Sequence, residues 1–257
     1  MKDRLTGKRI IVFGAGSGIG AATVERLAAE GARVCAADLN IAAAEALAQS
    51  LAEQGRDVHA TLVDIAQEDS VAGAVAVAVE RLGGLDGAHI NAADLRIIAK
   101  DSDALDEDLA VFDGTLAVNL RGHLLCTRAV LPHLLAAGEG AVVYTSSGSA
   151  ASGEPTRPAY AVSKSGLQAL MRHVASRWGR EGVTANCVAP GLTITAQMKA
   201  RGNVTQDFID AMLARTPNRR LGRPEDLAGV AAMLLSEDGR WINGQVFHVN
   251  GGTLMRG

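Results

Sequence analysis

Short runs of β-branched and small apolar residues recur along the chain, most of them followed by a stretch whose apolar positions return every three or four residues. The first pattern suits strands buried on both faces and the second amphipathic helices, so their alternation predicts βαβ units on a parallel sheet. Strands are expected at 9–13, 33–37, 58–63, 87–90, 141–145, 183–188 and 246–249, and helices at 18–30, 41–54, 68–82, 109–137, 159–180 and 224–235. Together they fit a single α/β domain over residues 1–257: a Rossmann-like, doubly wound seven-stranded parallel sheet with helices on both faces. Such sheets bind ligands outside the carboxyl ends of the strands, so motifs at strand ends carry the interest. Residues 192–223 differ in texture, being polar with only broken helical periodicity. They are expected to form a lid over the strand ends, with an ordinary surface excursion as the plain alternative.

Composition narrows the picture. A chain of 257 residues with 48% hydrophobic content is within the range of one large α/β domain, and no linker divides it. Aromatics are only 3% while glycines number 29, so small aliphatic groups must fill the core and backbones must approach closely. A net charge of -3 with dispersed arginines offers no field for a phosphate backbone, and nucleic acid is not an expected partner. No apolar run reaches the ~18 residues of a membrane helix and the start lacks a signal-like stretch, so no membrane and a cytoplasmic location are expected. Cys35, Cys126 and Cys187 form no CxxC pair and read as reduced, buried thiols. The six histidines show no ligand spacing, and no metal site is expected.

After the first strand comes Gly14-Ala15-Gly16-Ser17-Gly18-Ile19-Gly20, running directly into a helical pattern. Glycines there let the backbone turn tightly and approach a pyrophosphate, whose charge is favoured by the N–H groups at the helix start. Asp38 closes the second strand eighteen residues past Gly20, where a carboxylate can accept both ribose hydroxyls of NAD and repel the extra phosphate of NADP. No basic residue stands at Ser17 or Leu39 to clamp such a phosphate, so NAD is expected over NADP. The plain alternative for Asp38 is a turn or helix-capping aspartate.

Tyr160 and Lys164 open a helix one turn apart on one face, where an ammonium would lower the pKa of the phenol. Ser147 lies thirteen residues before Tyr160, at the end of a strand in Thr145-Ser146-Ser147. With the glycine turn, these residues resemble the short-chain dehydrogenase/reductase family, and the resemblance covers essentially the whole chain. It implies Tyr160 as general acid/base, Ser147 holding the substrate oxygen, Lys164 tuning the tyrosine and bonding the nicotinamide ribose, and Asn119 anchoring a water in the proton relay. It also implies cofactor contacts from Gly14, Ser17, Gly18, Ile19 and Gly20, from Asp38 and Leu39, from Asp64 and Ile65 beside adenine, and from Asn91 and Ala92. Pro190 and Gly191 would turn the chain so that Thr193 and Thr195 seat the nicotinamide carboxamide. The sequence departs from the family at Phe13, where threonine is frequent, at Ile90 and Ala93 in the usual Asn-Asn-Ala-Gly, and at Asn250.

The implied function is NAD-dependent transfer of hydride between the cofactor and a secondary alcohol or ketone. An NADPH-linked ketone reductase of the oxoacyl type and a non-catalytic dinucleotide sensor stay in view as alternatives. Arg96 and Arg157 are candidate holders of a substrate carboxylate, with Glu154, Gln197 and Met198 nearby in the candidate substrate region. Leu120, Leu124 and Leu125 beside Leu167, Leu170 and Val174 offer more apolar surface than one sheet face covers. Burial against a second copy is expected, and the resemblance implies a homotetramer.

Overall fold

A computed structural model of the chain describes residues 3–200, 202 and 204–255. Ile10, Ile11, Val12 and Phe13 are apolar without alternation, which suits a strand covered on both sides, and all four are fully buried in β1 (Arg9–Phe13). The other strands are β2 (Arg33–Asp38), β3 (Val58–Leu62), β4 (Gly87–Ile90), β5 (Gly140–Thr145), β6 (Val183–Pro190) and β7 (Val246–Val249). They pair in parallel in the order β3-β2-β1-β4-β5-β6-β7, so the winding reverses between β1 and β4.

The helices are α1 (Gly18–Ala29), α2 (Ile41–Ala52), α3 (Glu68–Leu82), α4 (Leu109–Leu116), α5 (His123–Ala136), α6 (Pro158–Trp178), α7 (Ala196–Ala200), α8 (Gln206–Leu213) and α9 (Pro224–Leu234). Because successive strand residues point to opposite faces, the sheet feeds two cores. Ile11, Phe13, Val142 and Tyr144 pack with α3, α5 and α6, while Ile10, Val12, Val34 and Val143 pack with α1, α2 and α9. Alanines supply much of the contact, as the composition requires, and the three thiols are buried; burial pushes Cys35 and Cys187 up to about 12.

Two departures from the expected elements bear on the site. The helix expected at 109–137 is broken into α4 and α5 by a π-helical turn, Ala117–Gly122, which holds Asn119. A widened turn adds a residue without changing the apolar texture, so periodicity passes over it. Residues 192–223 contain α7 and α8, and their two ends are pinned together. Ile194 N–H donates to the Gly222 carbonyl at 2.9 Å and Gly222 N–H to the Leu192 carbonyl at 3.1 Å. Arg201 and Asn203, part of the expected lid, lie outside the described residues.

The apolar surplus is smaller than expected. Leu125, Leu167 and Val174 turn into the core, whereas Leu120, Leu124 and Leu170 join Leu116 along an open groove of about 480 Å³ rimmed by Asp113 and Arg121. Among the described residues no helix is long and apolar enough to cross a membrane.

Candidate functional site

The crevice at the reversal is floored by the glycine turn. Gly14 leaves β1 with φ of 78°, and its N–H and that of Ala15 donate to the Ala37 carbonyl at 2.8 and 3.1 Å. A Cβ on Gly14 would lie 2.6 Å from the Ala92 backbone, and one on Gly20 only 1.9 Å from the Gly14 carbonyl oxygen. Only hydrogen fits at either position, because the turn is clamped between its own helix and the end of β4. Ser17, at the N-cap of α1, makes no side-chain capping bond, and the first turn, with Ile19, carries no acid. Those helical N–H groups and the dipole are left for an anion.

Asp38 stands at the end of β2 beside this turn. Its Oδ2 accepts from Gly16 N–H and its Oδ1 from Asn40 N–H, each at 2.7 Å. The carboxylate therefore orders the turn, as the plain alternative has it, while each oxygen retains a lone pair for a further hydroxyl. Leu39 is 54% exposed and brings no cation. After β3, Asp64 Oδ1 accepts from Ala66 N–H at 2.9 Å, and Ile65 is buried against the π-helical turn near Gly122.

The opposite wall is the turn after β6. Following Pro190, Gly191 N–H donates to the Val249 carbonyl at 3.1 Å, and a Cβ on Gly191 would meet Asn250 at 2.8 Å. Thr193 donates to the Gly191 carbonyl at 3.2 Å, and Thr195 accepts from Met198 N–H at 3.2 Å to start α7. The Thr195 methyl lies 3.3 Å from where a Gly18 Cβ would stand, so this turn reaches the first turn of α1.

The titratable residues converge where α6 crosses the end of β5. Lys164 is 1% exposed; its Nζ donates to the Thr145 carbonyl at 2.9 Å and stands 5.7 Å from the centre of the Tyr160 ring. Burial pulls its ammonium down to about 8. Burial also raises Tyr160 above its ordinary value, opposed first by a hydrogen bond with Ser147 and then by the charge of Arg157. The direction is opposite to the expected depression by Lys164, because loss of water around the phenol outweighs the groups that favour phenolate. Asn119 is fully buried; its Oδ1 accepts from Asp94 N–H at 2.8 Å and its Nδ2 has no protein partner, leaving a donor for a small polar guest. It bonds none of the other three residues directly.

Sequence reasoning missed Asp101. Its carboxylate accepts from Ala159 N–H at 3.2 Å and Tyr160 N–H at 2.8 Å, satisfying the start of α6 from the loop after β4. Arg157, at the N-cap, is left-handed with φ of 69° and gives no side-chain cap, so the remote carboxylate does that work. No local pattern marks a partner nearly sixty residues away. The two arginines singled out for substrate are already engaged. Arg96 chelates Asp94 at 2.7 and 3.0 Å, and Arg157 pairs with Glu154 at 2.5 Å while Ser149 and Ser152 also bond that carboxylate. Gln197 is exposed and Met198 half-buried on α7.

The fold agrees with what known proteins show. A family model described as enoyl-(acyl carrier protein) reductase matches residues 14–253. The chain is 38% identical over 256 residues to a probable short-chain type dehydrogenase/reductase of Bradyrhizobium diazoefficiens, covering 98% of this chain and 89% of that one. It is 35% identical over 243 residues to cis-4-hydroxycyclohexanecarboxylate dehydrogenase of Sinomonas cyclohexanicum, covering 94% of each. Among solved structures it is similar to 7α-hydroxysteroid dehydrogenase complexed with NADH and 7-oxo glycochenodeoxycholic acid. That match has a TM-score of 0.90 at 30% identity and covers 98% of this chain and 96% of the other. The chain belongs to the short-chain dehydrogenase/reductase family of oxidoreductases.

Proposed function

We propose that the protein is an NAD-dependent dehydrogenase/reductase acting between a secondary alcohol and its ketone. The observation that carries this reading is the gathering of Ser147, Tyr160 and Lys164 beside a glycine turn whose neighbouring carboxylate, Asp38, faces no basic residue at Ser17 or Leu39. The residues suit a dinucleotide: Gly14 and Gly20 sit where a side chain is excluded, the α1 N–H groups are uncapped, and Asp38 keeps lone pairs for vicinal hydroxyls. Phosphates would sit over Gly14, Ser17, Gly18, Ile19 and Gly20, adenosine beside Asp38, Leu39, Asp64 and Ile65, and the nicotinamide end among Asn91, Ala92, Pro190, Gly191, Thr193 and Thr195. The nicotinamide, when bound, accepts or returns the hydride.

The chain's own residues handle the oxygen and its proton. Ser147 positions the substrate oxygen against Tyr160, which takes the alcohol proton in oxidation as the phenolate, its own proton having left, and gives a proton to the oxygen in reduction as the phenol. Lys164 spends one N–H on the Thr145 carbonyl and keeps two, for a ribose hydroxyl and for water. Asn119 Nδ2 holds that water at the far end of the relay. Residues 192–223, pinned at their base by Thr193 and Gly222, cover the substrate as a lid on the single domain. The names of two relatives, a hydroxycyclohexanecarboxylate and a hydroxysteroid dehydrogenase, support a ring-borne hydroxyl as the first substrates to screen. A second copy covering the Leu116-Leu124 groove would form one two-fold interface of the homotetramer that the family resemblance implies.

Tyr160→Phe tests the chemistry. The variant is expected to keep its affinity for NAD while turnover falls ~10²- to 10⁴-fold, the worth of a positioned acid/base. Turnover equal to that of the wild type refutes the assignment. Parallel titration of NAD and NADP decides the cofactor, and tighter NADP would overturn the role of Asp38.

A further inference from the structure

Behind the glycine turn, on the face covered by α1 and α9, a buried polar chain runs from β4 and β5 to the end of β1. His89, 0% exposed, lies two residues before Asn91 on the same side of the β4 line, and Thr145 follows the β4–β5 pair Ile90 and Tyr144. His89 Nε2 is 2.8 Å from Thr145 Oγ1, Thr145 Oγ1 is 3.0 Å from Asn91 Oδ1, and Asn91 Nδ2 is 3.1 Å from the Gly14 carbonyl oxygen.

Proton counting fixes every direction in this chain. A carbonyl only accepts, so Asn91 must present its NH₂ to Gly14 and its Oδ1 to Thr145. Thr145 has one hydroxyl proton and gives it to Asn91, so it must accept from His89. His89 is therefore the neutral Nε2–H tautomer, with Nδ1 buried and without a partner. Thr145 is also the residue whose backbone carbonyl receives Lys164 Nζ, so one residue joins the lysine to the dinucleotide turn.

We infer that His89 and Thr145 are positioning residues that fix the amide of Asn91 and thereby hold the Gly14 turn in its cofactor-binding shape. An unanchored Asn91 could rotate and set its carbonyl against the Gly14 carbonyl, pushing apart the end of β4 and a turn that already has no spare room at Gly20. The inference rests on the dinucleotide reading above, and its consequence falls on cofactor affinity rather than on the proton transfer at Tyr160.

Thr145→Val removes the hydroxyl at nearly constant volume, and Thr145→Ser restores it. Calorimetric titration of the wild type and both variants with NAD and with NADP, without substrate, is expected to show about tenfold weaker binding of the preferred dinucleotide in Thr145→Val. Thr145→Ser should bind within about twofold of the wild type. Independently, the imidazole nitrogens of ¹⁵N-labelled protein without cofactor should show His89 as the neutral Nε2–H tautomer from pH 5 to 8, with its Nε2–H signal shifted in Thr145→Val. Equal affinities in the valine and serine variants, or a His89 protonated at Nδ1, overturn the proposal even when the wild type binds dinucleotide. A wild type that binds neither dinucleotide overturns the cofactor reading and, with it, the consequence for affinity, while the tautomer still decides whether the chain runs as drawn.

Discussion

His89 and His123 are the two histidines that the fold strips of water. Burial holds each near 3, against about 6.5 for an exposed imidazole, and the charge of Lys164 adds to the effect at His123. The unfolded chain takes up the proton first as pH falls, so stability from their neutral burial is fully present above about pH 6.5. It is then lost steadily as the pH drops toward 3. Between pH 6 and 5 each histidine contributes a slope of up to ~1.4 kcal/mol per pH unit. Urea midpoints measured across that window should fall, and His123→Gln should remove about half of the slope; a flat profile in the wild type would show that neither ring is held neutral. Residue identity alone did not distinguish these histidines from an exposed one such as His173, because the difference is made by what packs around them.

At the scale of elements, helix α6 shows how position is built from a distance. Its first turn carries Tyr160, and the N–H of that residue is held by Asp101 rather than by a neighbour in sequence. The carboxylate also suits the positive end of the helix dipole. Removing it in Asp101→Ala should cost ~1 to 2 kcal/mol, as lost caps do, and lower the thermal midpoint. Turnover should fall with it as Tyr160 loosens, while Asp101→Asn, which keeps an acceptor oxygen, recovers most of both. Unchanged melting and kcat in Asp101→Ala would show that α6 needs no such cap. The strand and helix runs themselves were legible within a residue or a few at most ends. The π-helical turn at Asn119 was not, since a one-residue widening leaves hydrophobic spacing almost unaltered on either side.

For the whole molecule, the groove along α4, the π-helical turn and α5 is the surface that asks for a partner. Apolar side chains at Leu116, Leu120, Leu124 and Leu170 are flanked by Asp113 and Arg121, opposite charges that a two-fold axis can pair across an interface. Light scattering at micromolar concentration should report a tetramer, and Leu124→Glu should shift it to a lower mass with little loss of monomer stability, since Leu124 is 43% exposed. A monomeric wild type would refute the assembly. The amino-acid sequence by itself determined the alternation of strands and helices and the glycine turn, because those depend on periodicity and on local spacing, while Asn119, Ser147, Tyr160 and Lys164 were singled out through the resemblance that their motifs carry. Only the tertiary structure decided which face of the sheet each apolar residue feeds and that Arg96 and Arg157 are already paired. It also decided that Asp101 caps α6 and that His89 reaches Gly14 through Thr145 and Asn91. Those contacts join segments tens of residues apart, and their energies depend on burial and hydrogen-bond direction, which exist only once the strands lie side by side.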